Sequence, residues 1–430
     1  MSVKSNSHLI SEFSKPAWRR RAGFGKPVMF GRILKQPLVY LFTISFVVLF
    51  VGMGLFPVLP LYATEFGASK TIIGIYFAVM YISNAAGSML PAWLADRLTR
   101  KGLFIASSVL GIPALFLLSR ADALWQVVLL TSVLWFSGGL VLALVSVFTG
   151  LYSEGRSRGK SFSLMSLPMP LGALIGGAVV CSLISRQGYA FMFTVLGVIW
   201  TSLPFIGLFV LEDRPSSKPV SSQAQFSMTQ PRFNPAFYLL LGLTLVSTVA
   251  ISAARLGTSF SMQSLNFSAS AIASSAAVSG LVTMPLTLLI GVLSDRMGRE
   301  RFLIINYLLA AIGALTLVLA AQLWQFWLAA TLLLVAISSS SALASALVTD
   351  ILQPTALTRG LSWIKGIGSI AGIISFAGTG FLLDNFGPQT LYLVALILPV
   401  IAAAVLEVVG CKPKRFVPVP IRLRTEMFCM

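Results

Sequence analysis

The sequence has few charged residues and few of the side chains that usually carry enzyme chemistry. Only 10% of its 430 residues are Asp, Glu, Lys or Arg, and His8 is the single histidine. The three cysteines, Cys181, Cys411 and Cys429, lack the close spacing of a metal or redox site. There is no nucleophile, base and acid constellation and no phosphate-binding glycine loop. We therefore expect neither an enzyme nor a bound metal or cofactor.

Hydrophobic residues make up 57% of the chain, too many for one water-soluble core, so the composition predicts a membrane protein. A helix needs about 20 apolar residues to cross the hydrocarbon core of a bilayer. Twelve such windows can be placed, and the sequence therefore predicts an all-α membrane protein with twelve transmembrane helices. These windows, called spans 1 to 12, cover residues 38–62, 70–94, 102–119, 124–150, 161–184, 190–211, 236–262, 269–293, 302–320, 324–349, 361–383 and 390–410.

The net charge of +18 comes from basic residues in the tails and alternate loops. This pattern lacks the basic aromatic face of a nucleic-acid-binding protein, so we expect no nucleic-acid partner. The side opposite the N-terminus holds only three basic residues, Lys70, Arg120 and Arg186. The positive-inside rule therefore predicts a multi-pass protein of the plasma (inner) membrane with both termini cytoplasmic. The basic tail 1–37 is solvated or contacts anionic lipid headgroups.

The chain is internally duplicated. A segment rich in Ser, Gln and Pro, residues 212–235, separates six spans from six and is typical of a cytoplasmic linker. It divides the chain into an N-terminal bundle, 38–211, and a C-terminal bundle, 236–410, which is followed by a basic tail, 411–430. The halves align at an offset of about 200 residues, and such repeats predict two similar six-helix bundles with a binding site between them.

Two charged loops at corresponding positions carry the clearest motif. The second reads Gly-x-Leu-x-Asp-Arg-x-Gly-Arg and matches the signature of the major facilitator superfamily at Gly291, Leu293, Asp295, Arg296, Gly298 and Arg299. The first keeps Asp96, Arg97, Arg100 and Lys101 but has Ala92 and Thr99 in place of both glycines. Beyond its N-terminal tail, the chain resembles twelve-span members of this superfamily. The resemblance implies that these loops latch the cytoplasmic side shut in one state, and the alternative is a solvated loop.

Glycines in two spans resemble the drug/proton antiporter branch of the same superfamily. Span 5 partly matches the antiporter signature at Gly172, Gly176 and Gly177, and span 11 carries Gly368 and Gly372 at a four-residue spacing. The run 56–69 that closes span 1 is also similar to this branch. Small residues of this kind let helices pack closely. These glycines either take part in gating or only allow tight packing, and the sequence leaves both alternatives open.

Arg255 is the one charged residue well inside a span. A central arginine costs roughly 2.5 to 3.5 kcal/mol on membrane-insertion scales, so it should face water or a partner. The resemblance places spans 1, 4, 7 and 10 around a central cavity. We hypothesise that Arg255 contacts an anionic or polar group of a substrate or controls coupling. The alternatives are a structural pairing with Glu65 and snorkelling toward the membrane surface.

Other side chains could line the same cavity. The candidates are Met53, Asn84, Trp135, Phe136 and Ser339. Each has a plainer alternative, which is a hydrogen bond between helices for the polar residues and packing or lipid contact for the others. If the aromatic residues line the site, it suits lipophilic or amphipathic compounds.

Coupling to protons has little support in the sequence. Spans 1, 4, 7 and 10 contain no acid near their middle, and Glu65, beyond the outer end of span 1, is the coupling candidate. We predict a monomeric secondary transporter that exports a small lipophilic or amphipathic compound, with the proton as candidate coupling ion. A carrier for an organic anion or sugar is the second choice. A non-transporting receptor or lipid-handling protein is the alternative of another class.

The two loops differ in how well they match the motif, which generates a prediction. Because the second copy keeps both glycines, we expect Asp295→Asn to reduce transport at least as much as Asp96→Asn. Initial transport rates in membrane vesicles, normalised to protein level, measure the comparison. A clearly larger loss for Asp96→Asn would contradict it.

Overall fold

The computed structural model describes residues 36–94, 99–152, 164–210, 233–352 and 354–409, and within these ranges the chain is almost entirely helical. Spans 1 to 4 are the helices Gln36–Leu55, Lys70–Leu94, Arg100–Leu118 and Leu124–Tyr152, and a short helix, Leu59–Thr64, follows span 1. Spans 5 and 6 lie in Pro168–Trp200 and Ser202–Val210. Spans 7 to 12 are Pro235–Ser264, Ala269–Met297, Arg299–Val318, Leu323–Ile351, Pro354–Asn385 and Gly387–Val409. The predicted tails and linker lie outside the described residues, except for a few residues at their edges.

Gly188 separates span 5 from span 6. The apolar stretch Pro168–Phe209 is 42 residues long, about twice the length that one membrane crossing needs. Gly188 has φ 76° and ψ −170°, a conformation open to glycine because it has no Cβ. The helix therefore breaks there, and the predicted fold of twelve transmembrane helices is confirmed in the described residues.

The helices form two bundles of six. Spans 2 and 4, 1 and 5, and 3 and 4 pack together in the first bundle, and spans 9 and 10, 9 and 12, and 7 and 11 do so in the second. With an even number of crossings, Gln36 and Val409 lie on the same side of the membrane. We call it the near side and the opposite one the far side. Most contact between the bundles runs along two seams, span 5 against span 8 and span 2 against span 11.

Small residues bring the helix backbones together at both seams. A Cβ at Gly74 in span 2 would lie 2.5 Å from the carbonyl oxygen of Phe376 in span 11. A Cβ at Gly177 in span 5 would lie 2.5 Å from the amide nitrogen of Ala277 in span 8. Lipid offers no hydrophobic drive for helix association, so this close packing stabilises the contact between the bundles.

The glycines that resemble the antiporter signature occupy three different surroundings. Gly172 and Gly176 face span 1 within the first bundle, where Gly176 lies against the Phe50 carbonyl. Gly177 faces span 8 across a seam. In span 11, Gly372 lies against the Tyr81 ring of span 2, whereas a Cβ at Gly368 would meet open space.

We predict that Gly176→Leu destabilises the first bundle. The new side chain would collide with the backbone of span 1, and overpacking of this kind typically costs about 1 to 3 kcal/mol. The apparent melting temperature of the purified protein in detergent should therefore fall. Gly52→Leu is the matched control because a Cβ at Gly52 would have no neighbour within 4 Å. An equal fall for both variants would contradict the packing shown here.

Candidate functional site

A small pocket lies between the two bundles toward the far side. Spans 1 and 5 contribute to it from the first bundle, and spans 7, 8 and 10 from the second. Its apolar wall includes Met53, Phe56 and Leu334, and its polar wall includes Arg255 and four hydroxyl-bearing residues, Thr258, Ser259, Ser275 and Ser279. Residues of both bundles line it, so its shape must change when the bundles move relative to each other.

Arg255 is the only charged residue among those that line the pocket. Its side chain is partly buried, and its guanidinium carbon lies 4.6 Å from the centroid of the Phe56 ring of span 1. This cation–π contact joins the bundles. In the described chain no carboxylate forms an ion pair with Arg255, so the structural pairing with Glu65 considered above is not formed.

The four hydroxyls beside Arg255 are buried. Thr258 donates to the Ala254 carbonyl at 2.8 Å, and Ser275 donates to the Ile272 carbonyl at 2.6 Å. Ser279 likewise donates to a carbonyl of its own helix. A hydroxyl can rotate to serve another partner and keeps acceptor lone pairs, so these groups can adapt to a polar ligand.

Two predicted cavity residues, Met53 and Arg255, line this pocket, and the polar candidates Asn84 and Ser339 lie elsewhere. Asn84 of span 2 donates to the Trp135 carbonyl of span 4 at 3.2 Å. Ser339 is buried against Asn306, between spans 10 and 9. Each of these two side chains thus bonds a neighbouring helix of its own bundle, which is the plainer alternative considered above.

The remaining candidates also lie outside the pocket. Trp135 and Phe136 are partly buried and pack against the hydrophobic core. Glu65 follows the short far-side helix and is largely exposed, and the desolvation that its neighbours cause raises the pKa of its carboxyl group. Its carboxyl group is therefore accessible from the far-side solution, and Glu65 does not line the pocket.

Two hydrogen-bonded links join the bundles at the far side, and we call them the far-side latch. Asp384, at the end of span 11, accepts from the backbone amide of Thr71 at 2.7 Å and from its hydroxyl at 2.6 Å. Thr71 is the second residue of span 2, so the carboxylate lies at the positive end of a helix. In the other link, Gln263 of span 7 donates to Thr64 at 2.8 Å.

The sequence reasoning missed this latch. Asp384 directly follows predicted span 11, where an acid is typical of an ordinary solvated loop. The signal was a carboxylate at the end of one span and a helix start, capped at the Ile72 amide by Ser69, at another. Only the packing of the bundles shows that they meet.

Aromatic rings fill the seam beneath the latch. Phe56 packs edge-on to Phe77 of span 2 at 5.5 Å between centroids. Phe376 of span 11 packs against Phe77 at 5.6 Å and against Tyr81 at 4.6 Å. This cluster, together with the latch, fills the far-side part of the span 2 and span 11 seam.

The two charged loops of the sequence motif lie on the near side, and we call them the near-side motifs. The second one is mostly helical rather than a loop. Span 8 continues to Met297, and Gly298, with φ 106°, makes the turn before span 9 begins at Arg299. The sequence prediction ended span 8 too early because the charged residues interrupt the apolar run. Arg299 donates to the Ala346 carbonyl at 2.9 Å and to Asp350 at 3.0 Å, which ties the motif to the near end of span 10.

The first near-side motif makes its turn in another way. Thr99, aligned with Gly298, accepts a hydrogen bond from the Gly102 amide at 3.1 Å and so caps the helix that begins at Arg100. Lys101 donates to the Leu208 carbonyl at the end of span 6 at 2.7 Å. Five motif residues either lie outside the described residues or have side chains that the structure does not describe: Asp96, Arg97, Gly291, Asp295 and Arg296.

Comparisons with known proteins agree with this architecture. A family model described as Major Facilitator Superfamily matches residues 41–262 and 240–415. The multidrug resistance protein MdtG of Escherichia coli strain K12 / DH10B is 27% identical over 265 residues, which cover 58% of this chain and 63% of that protein. The chain thus matches less than two thirds of this relative's length.

Solved transporters share the fold at low sequence identity. The nucleoside transporter NupG has a TM-score of 0.70 and 14% identity, with 86% of this chain and 98% of that chain covered. A D-xylose-proton symporter has a TM-score of 0.68 and 16% identity, with 87% and 96% covered.

The far-side latch generates a prediction about conformation. Asp384→Asn removes the negative charge from the helix start, and Thr71→Ala removes the hydroxyl donor, so both should favour opening of the far side. Spin labels at the exposed positions Ile72 and Phe381, in a background without the native cysteines, report this opening by double electron–electron resonance. Each variant should increase the population of longer distances.

Asp122→Asn is the control for charge removal on the far side, because Asp122 lies just before the start of span 4 and away from both seams. Unchanged distance distributions in Asp384→Asn and Thr71→Ala would show that the latch does not hold the seam closed.

Proposed function

Because the chain belongs to the major facilitator superfamily, we propose that it is a secondary transporter for a small lipophilic or amphipathic compound that works by alternating access. The observation that carries the proposal is the pocket, which both bundles line beneath a latched far side. In such a protein the two bundles rock around a fixed central site. The pocket therefore serves as the far end of the substrate path.

The proposed direction is export across the plasma (inner) membrane. The distribution of Lys and Arg favours a cytoplasmic near side, with both termini there and the far side facing outward. A far-side-closed structure then corresponds to a state that loads from the cytoplasm. The name of MdtG as a multidrug resistance protein supports export, at 27% identity and over part of its length.

We propose that the near-side motifs hold the near side of the protein closed in the other state. Arg299 and Lys101 each bind the end of a neighbouring span in their own bundle and so keep the two motif turns rigid. Rigid turns would place Asp96 and Asp295 to meet helix starts of the opposite bundle when the near side closes. In this proposal the near-side motifs stabilise one state and the far-side latch stabilises the other.

Proton coupling is proposed through Glu65. Its carboxyl group lies on the far side with a raised pKa, and span 1, which leads to it, lines the pocket. Opening of the far side would change the surroundings of this carboxyl group and hence its proton affinity. Facilitated diffusion is the competing mechanism, because none of the residues that line the pocket is acidic.

A carrier for an organic anion is the second candidate function. The observation in its favour is Arg255, a cation in the pocket with no carboxylate partner in the described chain. A receptor of the same fold would bind its ligand but would not exchange it across the membrane.

We predict that purified protein in proteoliposomes exchanges at least one member of a panel of amphipathic compounds in a counterflow assay. Imposing a pH gradient, acidic on the far side, should increase accumulation of the compound on the far side, against its concentration gradient. Counterflow that does not depend on the pH gradient would leave facilitated diffusion and reject the antiport mechanism. Binding without counterflow would indicate a receptor and contradict transport.

A further inference from the structure

Arg255 stands apart from the other charged side chains that the structure describes within the membrane helices. Arg299 has Asp350 as its partner at the near-side surface, and Asp384 has the helix start at Thr71. Arg255 lies over the face of Phe56 and has Tyr81 as an electrostatic neighbour, and in the described chain it forms neither an ion pair nor a hydrogen bond of the kind that a guanidinium group prefers. Its N–H donors are therefore available to a molecule that enters the pocket.

The groups around Arg255 favour a negative partner. The hydroxyls of Ser259 and Ser279 belong to different helices, spans 7 and 8, and both line the pocket. Hydroxyls can donate to an anion as readily as they accept from a cation. The charge of Arg255 therefore decides which sign of ligand charge the site favours. None of the lining residues is acidic, and the pocket therefore carries a net positive charge.

Apolar side chains also line the pocket. They include Met53 and Phe56 of span 1 and Leu334 of span 10, and the Phe56 ring continues into the aromatic cluster of the far-side seam. A ligand with a charged head at Arg255 would thus place an apolar body against these side chains.

We infer that Arg255 and its neighbouring hydroxyls form an anion subsite, and that the substrate is an amphipathic organic anion with a carboxylate, phosphonate or sulfonate group. This inference rests on the proposed transport function and names its substrate class. A guanidinium group binds such groups with two parallel hydrogen bonds. The same charge repels lipophilic cations, so export of cationic drugs is disfavoured.

The subsite also links substrate binding to movement of the bundles. Arg255 belongs to the second bundle, and its present contact, Phe56, belongs to the first. An anion that draws the guanidinium away from the ring would weaken one of the contacts that hold the far side closed. Binding of the correct substrate would then favour the opening that releases it.

The test uses three probes with the same dansyl fluorophore. Dansylglycine carries a carboxylate, its amide is neutral, and a dansylamidoethyl trimethylammonium salt is cationic. Binding to the full-length protein in nanodiscs is followed by dansyl fluorescence. Because a hydrogen bond to a charged group contributes about 1.5 to 3 kcal/mol, the wild-type protein should bind the carboxylate about tenfold more tightly than the amide. The cation should bind most weakly.

Variants at position 255 assign this selectivity to the arginine. Arg255→Gln should equalise the carboxylate and the amide, Arg255→Lys should keep part of the preference, and Arg255→Glu should favour the cationic probe. Arg186→Gln, which removes an exposed arginine at the far end of span 5, should leave all three affinities unchanged. Size-exclusion profiles and melting temperatures show that each variant is folded.

Two results would overturn the inference. One is a wild-type protein that binds the three probes equally, prefers the cation or binds none of them. The other is a carboxylate preference that survives in folded Arg255→Gln. Either result leaves the transport function intact if the proteoliposome panel still shows counterflow, so the two proposals fail separately.

Discussion

Inside a bilayer no water is available to satisfy polar groups, and the architecture of this protein follows from that constraint. Each span is a helix whose backbone groups bond internally, and many buried polar side chains donate to a nearby carbonyl, as Trp200 does at the Ser108 carbonyl, 3.0 Å away. The bundles meet where glycine and alanine let backbones touch, because lipid gives helices no other strong reason to associate. Among the residues that the structure describes, polar links between the bundles are concentrated at the far-side surface.

Arg255 is a charged side chain within a span that has no ion-pair partner in the described chain, and this charge gives the pocket its character. A cation that the fold does not neutralise is unfavourable in a membrane helix, which suggests that it serves a function. Its position beside Phe56 joins the chemistry of the pocket to the seam that must part during transport. In the mechanism proposed here, ligand recognition and conformational change depend on neighbouring atoms, and no long chain of intermediate residues is needed to connect them.

The sequence predicted the number of spans and the two-bundle fold, because hydropathy over about 20 residues is a strong signal. Of the predicted cavity residues, Arg255 and Met53 line the pocket, whereas Asn84 and Ser339 lie outside it, because hydropathy does not fix the rotation of a helix about its axis. A role of any of them in substrate binding stays a prediction. It missed Asp384, whose partner Thr71 lies 313 residues away and is found only by packing the bundles. The gating role of the near-side acids Asp96 and Asp295 stays a prediction.

The two near-side turns are made by different chemistry, and they should tolerate different substitutions. Gly298 depends on a backbone conformation with φ 106°, which almost any other residue adopts only under strain. Thr99 depends on a side-chain oxygen, and Ser, Asp or Asn can supply one equally well. Duplicated halves of a protein can thus diverge at a glycine without losing the turn. A capping residue at such a position is better interpreted as a replacement for the glycine than as evidence that the motif has decayed.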